Sequence, residues 1–175
     1  MLPILKLIVD TAAGVLGGVL LLRFWMQVIR VRPPASIGQF TFTLTDWLVR
    51  PMRRLVPGMG GYDWASLIGA FLVLLVASCV MLLAGWSGQA VFLYAVFRLL
   101  NWIIYGFIGL LIIEVIFSWV NPNAPLAPFV RALTDPLLRP LRRVIPPLGG
   151  LDLTVLVALI LLQIAQYLLR QIFPF

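Results

Sequence analysis

Four aspartates, two arginine triplets and two glycine pairs are the residues of this chain best suited to chemistry, and they recur as a set. Leu44 to Asp63 reads LTDWLVRPMRRLVPGMGGYD and Leu133 to Asp152 reads LTDPLLRPLRRVIPPLGGLD. Twelve of these twenty positions are identical, at a constant offset of 89 (133 − 44). Carboxylate pairs such as Asp46/Asp63 and Asp135/Asp152 are the residue types of general acid–base catalysis. Gly60–Gly61 and Gly149–Gly150, beside Arg50, Arg53 and Arg54 or Arg139, Arg142 and Arg143, have the composition of a phosphate cradle. The spacing favours neither. The glycines match no P-loop or dinucleotide fingerprint, so turn geometry is the better account. Asp46, Asp63, Asp135 and Asp152 stand where helices are expected to begin, and capping explains them better than catalysis. With no histidine there is no imidazole base and no histidine ligand for metal or haem. Cys79, alone in an apolar run, can form neither an intrachain disulfide nor a thiolate cluster and reads as a small buried apolar residue. The expectation is no catalytic constellation, no enzyme activity, no cofactor and no metal.

The elements that position these residues are set by hydrophobicity. The chain is 62% hydrophobic and 11% charged, whereas soluble domains average about 45–50% apolar and about 25% charged. Four apolar spans emerge, about 4–29, 64–84, 99–120 and 153–172. Each is long enough for a hydrocarbon core of about 30 Å at about 1.5 Å per residue. The apolar stretch 89–98 either extends the third helix or lies along the interface. The first span is expected to be a retained helix, since it carries Asp10 and Arg23 and fills the slot of the third span in the second copy.

Two spans per copy give an all-α membrane protein: four transmembrane helices arranged as two parallel helix–amphipathic loop–helix repeats. The first repeat is 1–88, with its basic loop at 30–63; the second is 89–175, with its basic loop at 121–152. Nine of the 13 basic residues fall in these two loops. By the positive-inside tendency both loops face the cytoplasm and both termini face outward. The net charge of +7 is thus read as membrane orientation and attraction to anionic lipid, with no nucleic-acid partner expected.

Within the second loop, Asp135–Pro136 looks like a helix start. Leu137, Leu138, Leu141, Val144 and Ile145 then follow helical spacing, with Arg139, Arg142 and Arg143 on another face. That pattern predicts a short amphipathic segment on the membrane surface. Pro140 predicts a kink or two short helical pieces. Pro146 to Gly150 ends the segment, and Asp152 caps the fourth span. The first copy repeats the pattern with Asp46, Pro51, Gly60, Gly61 and Asp63.

The pattern D-x-L-x-R-P-x-R-R-x-x-P-x-x-G-G-x-D before an apolar span resembles the YggT family of bacterial and plastid membrane proteins, here as two tandem units. Asn121–Pro122 resembles the family's helix end; the first copy has Arg30–Val31–Arg32–Pro33–Pro34 instead, with a connection two residues longer, and Gly58 where the second has Pro147. The resemblance implies a multi-pass protein of the bacterial inner membrane. It also implies links to cell division, to nucleoid or thylakoid organisation, to cytochrome-complex assembly in plastids, and to osmotic tolerance and ion homeostasis. It supplies no catalytic or ligand residue.

Inside the spans, Glu114 and Arg23 stand out, because charge within hydrocarbon is costly and often functional. Each lies seven residues before its helix end (121 − 114 and 30 − 23). They are expected to pair with each other or with loop arginines. The alternatives are a protonated glutamate or an ion pathway. Gly14-x-x-x-Gly18 suggests a close helix contact, although the motif is common in apolar helices by chance, and Gln163 and Gln166 suggest either hydrogen bonds between helices or satisfaction at the membrane interface. Two functions follow. One is a non-enzymatic assembly or organising factor whose basic loops, through their arginines, engage anionic lipids and other membrane proteins. The other is a small channel or transporter component in ion or osmotic homeostasis, which at four spans would need a homo-oligomer.

Overall fold

The computed structural model describes residues 2–56, 58, 60–145 and 152–173. Its elements are α1 (Leu2–Val28), α2 (Ala35–Leu55), α3 (Trp64–Ser78), α4 (Gly88–Val120), α5 (Ala127–Val144) and α6 (Leu153–Ile172), with α3 continuing as a 3₁₀ segment over Cys79–Ala84. There is no strand among the described residues. Four of the helices are apolar and long enough to span a bilayer: α1, α3 with its 3₁₀ extension, α4 and α6. The stretch 89–98 belongs to α4, which at 33 residues is about 50 Å long. Nothing interrupts it there, since Gly88–Arg98 holds no proline and one glycine at its start. The sharp turn before it is made by Gly85, whose φ of +84° suits a residue without Cβ.

The chain divides into two compact units, 1–102 and 103–174. This boundary falls later than the sequence repeat at 88/89, because the first half of α4 packs into the first unit. The reason is partly steric. A Cβ on Gly14 would come within 2.8 Å of the Trp102 indole, and one on Gly18 within 3.7 Å. The Gly14/Gly18 pair is thus a seat for Trp102. Gly17 of the same helix faces Leu74 of α3. Between apolar helices in lipid the water-driven term is weak, so close packing over small residues carries the association. Cys79 is exposed, contrary to the expected burial, because α3 passes there into its 3₁₀ turn.

α2 and α5 are the two amphipathic elements, and each is one continuous helix despite Pro51 in the first and Pro136 and Pro140 in the second. The expected kink does not break either helix. Both also begin earlier than expected, at Ala35 and Ala127, so Asp46 and Asp135 sit in mid-helix and cap nothing. The upstream residues explain this. Gly38, Thr41, Thr45 and Val49 form a buried stripe on α2, as do Ala127, Val130, Thr134 and Leu138 on α5. Packing along that stripe outweighs the local preference for a helix start at Asp46 in α2 and at Asp135–Pro136 in α5. Thr45 and Thr134 satisfy their hydroxyls on the carbonyls of Thr41 and Val130.

The two cores match. Leu20, Val49, Ala65 and Ala70 form the first, with Leu48 and Met52 against it. Leu111, Leu138, Val155 and Ala158 form the second, with Leu137 and Leu141 against it. Val49 and Leu138 keep the 89-residue offset, but Leu20 and Leu111 differ by 91 (111 − 20). That is also the offset of Arg23 and Glu114 (114 − 23), so these two charges occupy equivalent positions one turn further along their helices.

Candidate functional site

In the first unit, α1, α2 and α3 bring three arginines and two aspartates together. Arg23, 5% exposed, donates from Nη1 to Thr45 Oγ1 (2.6 Å) and to Asp46 Oδ1 (2.7 Å). Its Nε lies 3.7 Å from Asp63 Oδ2, and its guanidinium covers the Phe42 ring at 4.9 Å. Arg53 grips Asp63 with two hydrogen bonds, at 3.2 and 2.6 Å, and Ser66 donates a third at 2.7 Å. Arg50 pairs with Asp46 one turn away on α2 at 2.8 Å. Asp63 is 3% exposed. Its burial works against the charged form, but the hydrogen bonds from Arg53 and Ser66 and the fields of Arg53 and Arg23 outweigh it and hold the carboxyl below the usual range. Asp46 is also lowered, chiefly by its hydrogen bond from Arg23.

The second unit rebuilds this arrangement around one arginine. Arg142, the counterpart of Arg53, donates to Asp152 (3.0 Å), to Glu114 (3.3 Å) and, at 3.5 Å, to Asp135. Arg139 pairs with Asp135 at 3.1 Å, as Arg50 does with Asp46. Asp152 is a true helix cap, accepting from the Thr154 backbone N–H at 3.0 Å and from the Thr154 hydroxyl. Burial opposes its charge, while the Thr154 hydrogen bonds and Arg142 prevail and lower its pKa. Asp63 fills the same N-cap position on α3 but spends its side chain on Arg53 and Ser66, with no backbone N–H bound.

Arg23 and Glu114 therefore find partners within their own units. Four of the six arginines of the repeated motif, Arg50, Arg53, Arg139 and Arg142, are tied to carboxylates. Arg54 and Arg143 are exposed and have no ion pair among the described residues. Gly60 and Gly61 both have positive φ, +69° and +79°, as a turn requires; Gly149 and Gly150 lie outside the described residues, as does the segment from Pro146 to Gly150. Gln163 is exposed.

Sequence reading missed a third cluster. Arg98 of α4, 8% exposed, pairs with Asp10 of α1 at 2.8 Å and donates to Ser78 of α3 at 3.2 Å. Its signal was present once α4 is seen to start at Gly88, because Arg98 then lies ten residues inside a spanning helix.

No metal-holding group of three or more acid, cysteine or histidine side chains occurs among the described residues. What the geometry shows is a pair of ion-pair networks, each locking an amphipathic helix onto two apolar ones. The CCB3/YggT family profile matches this chain over residues 1–84 and 93–173. The chain belongs to that family. The two matched segments agree with tandem YggT units. An uncharacterized protein of Pseudomonas aeruginosa is 36% identical over 160 residues, covering 86% of this chain and 80% of its own. An uncharacterized protein of Vibrio alginolyticus is 32% identical over 167 residues, covering 88% and 86%. The uncharacterized protein YggT of Escherichia coli K12 is 30% identical over 161 residues, covering 91% and 86%. No solved structure matches the chain. This is accordingly a multi-pass YggT-family membrane protein related to bacterial members.

Proposed function

We propose that the protein is a non-enzymatic assembly or organising factor of the inner membrane, whose α2 and α5 lie at the cytoplasmic headgroup level and engage anionic lipids and other membrane proteins. Both termini then face the periplasm, in line with the basic residues concentrated between the spans of each copy. One observation carries the reading. The same position in both copies, Arg54 and Arg143, leaves an exposed cation without an ion pair among the described residues, next to exposed apolar side chains: Trp47 and Leu55 on α2, Val144 on α5. The neighbouring arginines fix the helix while this one faces outward. A free arginine near an anionic surface is worth on the order of 1 kcal/mol, reduced by salt. Two of them tune contact with lipid or partner and do not create tight binding by themselves.

The competing reading, a channel or transporter component, needs a file of polar groups through several spans. Here Arg23, Asp10 and Arg98 are each committed to internal partners, which favours the organising role. The test is the Arg54→Gln/Arg143→Gln double variant, purified in mild detergent and in anionic nanodiscs. It should insert and melt like wild type while losing copurifying membrane proteins and enrichment of anionic lipid. Unchanged partners and unchanged lipid composition would refute the reading.

A further inference from the structure

In the first copy, the carboxylates of Asp46 and Asp63 share an internal cation, the guanidinium of Arg23. In the second copy the same carboxylates are present as Asp135 and Asp152, but the position of Arg23 holds a third acid, Glu114. The first network sets three arginines (23, 50, 53) against two aspartates; the second sets two arginines (139, 142) against three acids. Glu114 bears the consequence. It is 6% exposed, its Oε1 accepts from Arg142, and its Oε2 is buried with no hydrogen-bond partner among the described residues. A buried carboxylate oxygen without a donor is costly.

We propose that the second copy's site takes up the primary ammonium of an aminophospholipid headgroup, which stands where the Arg23 guanidinium stands in the first copy. A nitrogen cation fits better than a metal ion, because no acids among the described residues have metal-holding spacing, whereas an ammonium brings three N–H donors. The headgroup's phosphate also has partners. Arg143 is exposed and without an ion pair among the described residues, one turn from Arg139 on α5. Exposed Ile112, Ile113 and Ile116 flank Glu114 on α4 and offer an apolar surface to the acyl chains. Arg142 is the gate. It is 41% exposed and also holds Asp135 and Asp152, both nearer the surface, so it can release Glu114 and keep its charge paired.

This inference rests on the headgroup placement of α5 proposed above, and the experiment separates the two. The full-length protein is reconstituted in vesicles whose zwitterionic lipid is either phosphatidylethanolamine or phosphatidylcholine, at equal anionic content. The two headgroups share a phosphate and a net charge, but the trimethylated nitrogen of the second has no N–H. Phosphatidylethanolamine should raise the melting temperature by about 2–4 °C and be retained preferentially in native mass spectra. Glu114→Gln should abolish the preference. Glu114→Arg, which copies the first unit, should abolish it while keeping the fold, and it serves as the check if Glu114→Gln folds poorly. Equal behaviour in the two lipids, or a preference that survives Glu114→Arg, would overturn the inference. The same shift produced by free ethanolamine in phosphatidylcholine vesicles would overturn the lipid assignment. Depth is read separately by nitroxide-lipid quenching of a fluorophore attached to Val144→Cys in a Cys79→Ser background, which leaves a single labelled thiol. Quenching at headgroup depth without a lipid preference overturns this inference alone; quenching deep in the hydrocarbon overturns the placement of α5 as well.

Discussion

Three arginines within five residues of α2 should behave in three different ways. Arg53 makes two charge-assisted hydrogen bonds, at 2.6 and 3.2 Å, to a carboxylate that is 3% exposed. Such bonds are worth about 1.5–3 kcal/mol each, and removing one partner of a fully buried pair costs about 3–5 kcal/mol. Two facts moderate this. The Arg53 side chain is 48% exposed, so water screens its outer side, and Asp63 keeps Ser66 and the nearby Arg23. Arg53→Gln should therefore cost about 2–3 kcal/mol, or roughly 5–10 °C in melting temperature. Arg50 pairs with Asp46 across one helical turn at 78% exposure, which is worth about 0.3–0.5 kcal/mol. Arg54, exposed and without an ion pair among the described residues, should stay within about 0.5 kcal/mol of wild type. The assay is thermal melting in mild detergent followed by intrinsic tryptophan fluorescence, with Trp64 adjoining Asp63 as the local reporter. Adding Asp63→Asn to Arg53→Gln should recover part of the loss, since the buried charge goes with its partner. If Arg53→Gln and Arg54→Gln melted alike, or the second change recovered nothing, the Arg53–Asp63 lock would be wrong.

The helix seat on α1 predicts that Gly14→Ala, whose methyl would sit 2.8 Å from the Trp102 ring, costs about 1–3 kcal/mol, whereas Gly18→Ala, at 3.7 Å, is tolerated; detergent melting of both variants checks this. Acid should destabilise the protein through Asp46, Asp63 and Asp152, whose carboxyls are all lowered. Their contribution is fully present above the unfolded value near 3.8 and is lost as pH falls through the lower folded values. Melting temperature should thus hold from neutral pH to about 5 and drop below about 4. Arg30 closes α1 with a φ of +56°, its N–H bonded to the Gln27 carbonyl and that of Val31 to the Met26 carbonyl. Arg30→Asn should raise stability by about 0.5–1 kcal/mol in the same melts, because asparagine tolerates that backbone better.

The duplication, the four spans and the first-copy glycine turn were legible because each is a local property: a repeated string, a long apolar run, a residue without Cβ. Asp152 as a cap was legible for the same reason. Asp46 and Asp135 misled because the signal at a helix start is local, while the actual starts at Ala35 and Ala127 are decided by packing of the Thr41–Thr45 and Val130–Thr134 stripes against other helices. The prolines misled likewise, since their local cost is outweighed by tertiary contact. That Arg23 and Glu114 are equivalent could be read from their distance to the helix ends. Which loop residues they meet could not, because helix register across space leaves no trace in one sequence. Asp10 and Arg98 stand 88 residues apart (98 − 10) with no shared motif, so nothing short of the fold joins them.

The prolines inside α2 and α5 have a consequence of their own. A proline nitrogen carries no hydrogen, so the carbonyls of Trp47, Ala132 and Pro136, each four residues before a proline, lose their usual donor within the helix. At the headgroup level proposed above for α2 and α5, water replaces the missing donor at little expense. A few ångströms deeper, each bare carbonyl would cost several kcal/mol. On that proposed placement the exposed apolar side chains would draw these helices downward and the carbonyls short of a helix donor would resist, so the prolines would act as a waterline that sets how far the two arms can sink.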